Sequence, residues 1–190
     1  MMKRKNFHFY LTKYDNFEPL SIEEINQILR ASDEVIGLGG RTMIAKILKG
    51  SRDQKLIELK LDRCPVYGCF KMIKMEDIMR RIDWMLFNQY LLIDYRGDLP
   101  MIVFSDKGWE TYKPIYVDEI YQLMVLSDLD SYASMIDRLN KTNREVIEML
   151  LNRISESKNS ELLPLLIQWK SRQVKKVRDE IDHTIKILNQ

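Results

Sequence analysis

A mainly α-helical chain carrying one small β-hairpin is what this sequence predicts, and three observations predict it. Apolar residues recur at helical spacing in several separate windows. One pair of strand-like runs, Leu91 to Tyr95 and Met101 to Phe104, is joined by a short glycine-containing link. From Pro114 onward the pattern is helical almost without interruption.

The elements follow in order. Up to about Phe17 the chain mixes basic and aromatic residues without periodicity, and this arm is expected to be partly extended or to pack as an edge. Ser21-Ile22-Glu23-Glu24 is a capping box: the Ser21 hydroxyl accepts from the backbone three residues on while Glu24 reaches back. Ile22, Ile25, Ile28 and Leu29 then share one face, so a helix should run to about Ala31. Gly37-Leu38-Gly39-Gly40 ends whatever precedes it and frees the backbone. From Arg41 the residues Ile44, Ile47 and Leu48 mark a second helix, which Gly50 is placed to stop.

A short helix through Leu56, Ile57 and Leu59 and a loop from Cys64 to Lys74 come next. The longest helix of this region places Ile78, Ile82, Met85 and Leu86 inward. The hairpin follows, with Arg96-Gly97-Asp98-Leu99-Pro100 as its link. Helix, glycine-broken turn, short helix, loop, long amphipathic helix and hairpin is the order of a winged helix-turn-helix. Beyond it, helices are expected at roughly 117–139, 143–156, 160–170 and 172–188, the last with Val174, Val177, Ile181 and Leu188 as its apolar stripe. Short polar links between them predict a C-terminal α-helical bundle or HEAT-like helical hairpins. The expected division is 1–31 for the arm and first helix, 32–113 for the winged helix and 114–190 for the helical module.

Composition narrows the function classes. The 190 residues are 45% hydrophobic and 31% charged, which suits a chain that folds around its own core. A net charge of +2 does not announce nucleic acid, but the charge is uneven. Residues 41–113 carry 14 basic and 10 acidic side chains, and 41–63 carry seven and three. Two cysteines fit a reducing cytoplasm rather than a disulfide framework. No run is long and apolar enough for a membrane span or a signal sequence, so a cytoplasmic protein without a membrane partner is expected.

Several chemical motifs are excluded. Gly37 to Thr42 lacks the Gly-Lys-Ser/Thr ending of a nucleotide-binding loop, so no nucleotide is expected. Cys64 and Cys69 offer two thiols where a structural zinc needs four ligands, and the histidines stand far away at positions 8 and 183. No nucleophile–base constellation and no paired-carboxylate metal motif stands out. A protein without cofactor or enzymatic activity is the expectation.

Specific residues carry a resemblance. Leu48-Lys49-Gly50-Ser51, the basic Lys55 four positions after Ser51, Val66-Tyr67-Gly68, the apolar helix before the hairpin and Lys107-Gly108 after it all recur in the RQC domain of RecQ-type DNA helicases. The chain resembles this domain, and more closely the small stand-alone bacterial RQC-like proteins that lack a helicase motor. The four-cysteine zinc module and the motor motifs of RecQ helicases are absent from this sequence.

The resemblance implies a DNA partner whose phosphates are held by Lys49, Ser51 and Lys55. The chemistry of those residue types agrees: a glycine turn lets backbone approach a phosphate, serine adds a donor and lysine adds charge. The alternative is a helix cap with solvated charges around it. The candidate DNA-binding residues are Arg41, Thr42, Lys49, Gly50, Ser51, Arg52, Lys55, Arg80, Arg81, Tyr95 and Arg96.

Arg80 and Arg81 stand on the recognition-helix slot, and they could equally pair with Glu76, Asp77 and Asp83. In helicase RQC domains the wing carries an aromatic wedge. Here Tyr95 could stack on a base or pack on its own sheet, with Arg96 and Leu99 nearer the tip. The basic run Lys170, Arg172, Lys175, Lys176 and Arg178 could extend a DNA-binding surface, but its i,i+4 pairs from Lys175 to Asp179 and from Lys176 to Glu180 favour a solvated helix face. The partner is expected to be duplex or forked DNA without sequence specificity, with a protein partner for 114–190. The rival function class is a protein-interaction adaptor whose winged helix binds no DNA, and RNA stands as a third partner.

Overall fold

The computed structural model describes residues 18–190, so the expected N-terminal arm lies outside the described residues. The described residues form two compact units, divided between Glu110 and Thr111.

The first unit holds α1 (Ile22–Asp33), α2 (Arg41–Lys49), α3 (Gln54–Glu58), a 3-10 turn (Leu61–Arg63), α4 (Met75–Phe87), β1 (Leu91–Arg96) and β2 (Leu99–Phe104). The capping box at the start of α1 forms as expected: the Glu24 amide donates to Ser21 Oγ at 3.2 Å, and the Ser21 amide to Glu24 Oε2 at 3.0 Å. α2 packs between α1 and α4. Their facing side chains, Ile28, Leu29, Ile44, Ile47, Leu48, Ile78, Ile82 and Met85, are fully buried. Each contributes roughly 1.5–3 kcal/mol of burial.

Several expectations need correction here. Ile22 is 78% exposed rather than on the buried face of α1. On α4, Leu86 is only half-buried, while the charged Asp83 is buried. The antiparallel pairing runs from Leu91 opposite Phe104 to Arg96 opposite Leu99, so the link is two residues, Gly97-Asp98. Gly97, with φ +64°, supplies the positive-φ first position that a two-residue hairpin needs. Pro100 sits within β2 opposite Tyr95. A two-stranded ribbon has only edges, so its missing N–H is tolerated.

Pro114 does not precede its helix. It lies inside the long α5 (Asp106–Val125), on an exposed face where water can take up a backbone carbonyl. The second unit continues with α6 (Tyr132–Lys141), α7 (Arg144–Ser157), a 3-10 turn (Ser160–Leu162), α8 (Leu163–Lys170) and α9 (Lys175–Leu188). The single helix expected over 117–139 is broken. Asp128 and Ser131 exchange hydrogen bonds of 2.9 and 3.0 Å that close a turn before α6.

α9 packs on α7 and α8, burying Ile154, Leu165, Leu166 and Ile181. Trp169 is also buried and donates through Nε1 to Asn140 at 3.2 Å. Val174 precedes α9 and is 70% exposed, so it does not belong to the buried stripe. Among the described residues the expected Lys175–Asp179 and Lys176–Glu180 pairs do not form. Lys170 pairs instead with Asp182 at 2.5 Å, and Glu180 with Arg144 at 3.0 Å. The architecture is a winged helix-turn-helix, mainly α with one hairpin, followed by a helical module.

Candidate nucleic-acid interface

The turn between α2 and α3 is built by backbone chemistry. Gly50 adopts φ +73°, its amide donates to Ile47 O, and the Ser51 amide reaches back to Lys46 O, each at 2.9 Å. This is a Schellman stop. The following loop adds two more donors at the helix end: the Gly68 amide also donates to Ile47 O at 2.9 Å, and the Phe70 amide donates to Leu48 O at 2.8 Å.

Gly50 and Gly68 face each other so closely that a Cβ on Gly50 would lie 3.0 Å from Gly68 Cα. Tyr67 fixes the same approach by donating its hydroxyl to Ser51 O at 3.0 Å. The Lys49-Gly50-Ser51 and Val66-Tyr67-Gly68 motifs are therefore two sides of one contact.

Lys49 is engaged in that contact. Its ammonium donates to Lys71 O and Ile73 O, both at 2.7 Å, and so ties the loop to the end of α2. Arg52 and Lys55, by contrast, are exposed and make no ion pair among the described residues. Ser51 is half-buried. The outward cations on this turn are Arg52 and Lys55, with Lys49 beneath them.

Arg41 at the start of α2 pairs with the buried Asp83 of α4, while its neighbour Thr42 is exposed. Arg81 is held by Glu24 at 2.9 Å and donates to Asp77 O at 3.2 Å. Its guanidinium also lies 6.0 Å from the centre of the Phe70 ring. Arg80 is half-exposed beside Asp77 at 3.3 Å. The local pair Arg80–Asp77 matches the reading from spacing. Arg81 and Asp83 have partners on α1 and α2 that spacing did not indicate. Burial raises the Glu24 carboxyl, but the Arg81 hydrogen bond and the Ser21 amide outweigh it and hold the group below its ordinary value.

The wing grows from a buried base, Leu91 and Ile102, to an exposed outer half. Tyr95 is 47% exposed and Leu99 66%. Arg96 is exposed but turns back over Gly37, where a Cβ would lie 3.6 Å from its Nη1. The Ile102 amide donates to Gly39 O at 3.2 Å, and a Cβ on Gly40 would stand 2.8 Å from Pro100 O. The glycine turn is thus the seat of the wing. After β2, Gly108 passes so close to the Tyr90 carbonyl that no Cβ fits, and its amide donates to Ser105 Oγ at 2.9 Å. Lys107 donates to Asn88 O at 3.0 Å, with its ammonium 3.9 Å from the Tyr90 ring centre.

Between the glycine turn, the start of α2, α3 and the wing lies a groove of about 330 Å³. Thr42 and Lys55 of the candidate set line it. So do Lys46 and Asp53, which the sequence reading did not single out. These two form an ion pair of 2.6 Å across the Gly50 turn, and no periodicity links positions seven apart around a glycine stop. The hydrogen bond from Lys46 is the main reason the Asp53 carboxyl sits below its ordinary value.

Cys64 is buried and Cys69 exposed, and both are free thiols. Desolvation first, and then the neighbouring Cys64, push the Cys69 thiol up to about 11. That keeps the free thiol protonated and weakly nucleophilic at neutral pH. Among the described residues no group of three His, Cys, Asp or Glu side chains converges on a metal position, and no helix is long and apolar enough to cross a membrane.

No curated protein and no solved structure matches the chain. A family model does: that of the RQC domain, over residues 21–116, half of the chain. The match begins at the Ser21 cap and ends within α5, so it takes in the helix-turn-helix, the Gly50–Gly68 contact and the wing. The chain belongs to the RQC domain family, a DNA-binding domain of the winged-helix type found in RecQ-type proteins.

Proposed function

We propose that this protein is a non-enzymatic DNA-binding protein of the kind represented by the motor-less RQC-like proteins, holding duplex or branched DNA mainly by its backbone phosphates. The observation that carries the reading is the pair of exposed cations Arg52 and Lys55 on the Gly50 turn, beside a groove walled by the wing. Phosphate contacts position a duplex without reading its sequence, and these residues present charge rather than a matched set of base-edge donors.

The regions divide the work, with 32–113 binding DNA and 114–190 docking a protein partner in the cytoplasm. The absence of motor motifs from the sequence supports a binding role without ATP hydrolysis. The adaptor reading differs in one measurable respect, since it requires no salt-sensitive affinity for nucleic acid.

Fluorescence anisotropy against duplex, forked, single-stranded and RNA oligonucleotides tests the proposal. Counting Arg52, Lys55 and one further cation as phosphate contacts, duplex affinity should fall about 40-fold from about 50 to about 200 mM salt. The Arg52→Ala/Lys55→Ala variant should bind weakly and with a shallower salt slope. No binding by the wild type at low salt would sink the reading in favour of the adaptor, and preference for RNA would replace DNA as the partner.

A further inference from the structure

We propose that the groove seats one nucleic-acid backbone phosphate between Lys46 and Lys55, and that Asp53 gates it by holding Lys46 in an ion pair which the incoming phosphate must displace. This rests on the reading that the winged helix binds nucleic acid, and it names the residues that decide how deeply a backbone engages.

Thr42, Lys46 and Lys55 bring a hydroxyl and two ammonium groups to one cavity, with Asp53 as the anion on the same wall. The opposite wall is the Leu99-Pro100-Met101 segment of the wing, drawn in by the close approach of Pro100 O to Gly40. A volume of about 330 Å³ admits a phosphodiester with its flanking sugar carbons but leaves little room for a stacked base.

The pair is suited to exchange. Lys46 and Asp53 are each about one-third exposed, at 35% and 33%, and ion pairs in such solvent contact are weak. A phosphate can therefore take the place of the carboxylate at little cost. A backbone that touches only Lys55 meets Asp53 as a like charge, whereas one seated deeply enough gains Lys46. Asp53 thus penalises shallow contact and rewards full seating.

The test uses the full chain and labelled duplex DNA at low salt, with Asp53→Asn, Lys46→Met, the double variant, and Asp62→Asn as an exposed control with the same change in net charge. Asparagine and serine both serve at a helix N-cap, so Asp53→Ser replaces Asp53→Asn if the latter unfolds.

Releasing Lys46 from its ion pair adds an unpaired positive charge beside the seated phosphate and should tighten binding by about threefold to tenfold. Asp53→Asn should show this gain, Lys46→Met should weaken binding, and in the Lys46→Met background Asp53→Asn should give a smaller gain than it does in the wild type. A gain no larger than that of Asp62→Asn, or one that survives undiminished in the Lys46→Met background, overturns the gate while leaving DNA binding intact. No binding by the wild type removes the functional reading and the gate together.

Discussion

Replacing Lys49 with methionine removes an ammonium that holds two carbonyls and leaves a chain of similar length. In the native turn Lys49 Nζ donates to Lys71 O and Ile73 O at 2.7 Å, the first in an exposed and the second in a part-buried setting. Hydrogen bonds from a charged donor contribute about 1.5–3 kcal/mol each when protected, and exposure cuts that value. Ordering the lysine side chain costs up to about 2 kcal/mol, which offsets part of the gain. The net loss expected for Lys49→Met is about 1–2 kcal/mol, a fall of roughly 5–10 °C in the thermal midpoint of a domain this size.

Thermal and urea unfolding followed by circular dichroism measure it, alongside DNA affinity at a temperature where the variant is fully folded. The structural role predicts lost stability with most DNA affinity retained. The opposite result, unchanged stability with lost affinity, would refute the argument and assign Lys49 to the phosphates directly.

Three further outcomes follow from the same geometry. Gly50→Ala forces a Cβ onto a φ of +73° and to within 3.0 Å of Gly68 Cα, so unfolding experiments should record a loss of more than about 1 kcal/mol. Arg41→Met strands the buried carboxylate of Asp83 and should cost about 3 kcal/mol in urea denaturation, with Arg41→Met/Asp83→Leu recovering much of it. Folding lowers the Glu24 carboxyl below its ordinary 4.5, so its contribution to stability is complete above that value and drains away as pH falls through the lower native one. Glu24→Gln should therefore flatten the acid limb of a stability–pH curve, and an unchanged limb would contradict the Arg81–Glu24 pairing.

The parts of this fold that are legible in the sequence are those fixed by neighbours in the chain. The Ser21–Glu24 box, the Gly50 stop, the buried face of α4 and the Arg80–Asp77 pair each depend on residues no more than a few positions apart. The wing is legible as two runs, but the sequence marks its turn too wide, because Pro100 argues against a strand unless both strands are edges. The start of α5 is hard to read at Pro114 for a related reason. An interior proline costs about 3 kcal/mol in a helix, and packing of Tyr112, Lys113 and Val117 on the buried side holds α5 together regardless.

The roles of the cations were the least legible. Seven basic residues crowd positions 41–63, and spacing alone does not say which of them face outward. The fold separates them by partners 22 or 42 residues away, Lys71 for Lys49 and Asp83 for Arg41. It also ties Lys46 to Asp53 across the turn. Arg52 and Lys55 remain outward.

That separation changes what the family motifs mean. Gly50 and Gly68 meet in a backbone contact too tight for side chains, Lys49 ties the adjoining loop through its ammonium, and Gly108 passes as closely where α5 starts against Tyr90. Such residues are demanded by geometry whether or not DNA is present. The cations around the groove face no such constraint, since a lysine in solvent can move or be paired with little effect on folding. Affinity should therefore track Arg52, Lys55 and the Lys46–Asp53 pair, while stability tracks Lys49 and the glycines. A variant series measured for both quantities would resolve the two sets, and the +2 net charge of the chain predicts neither.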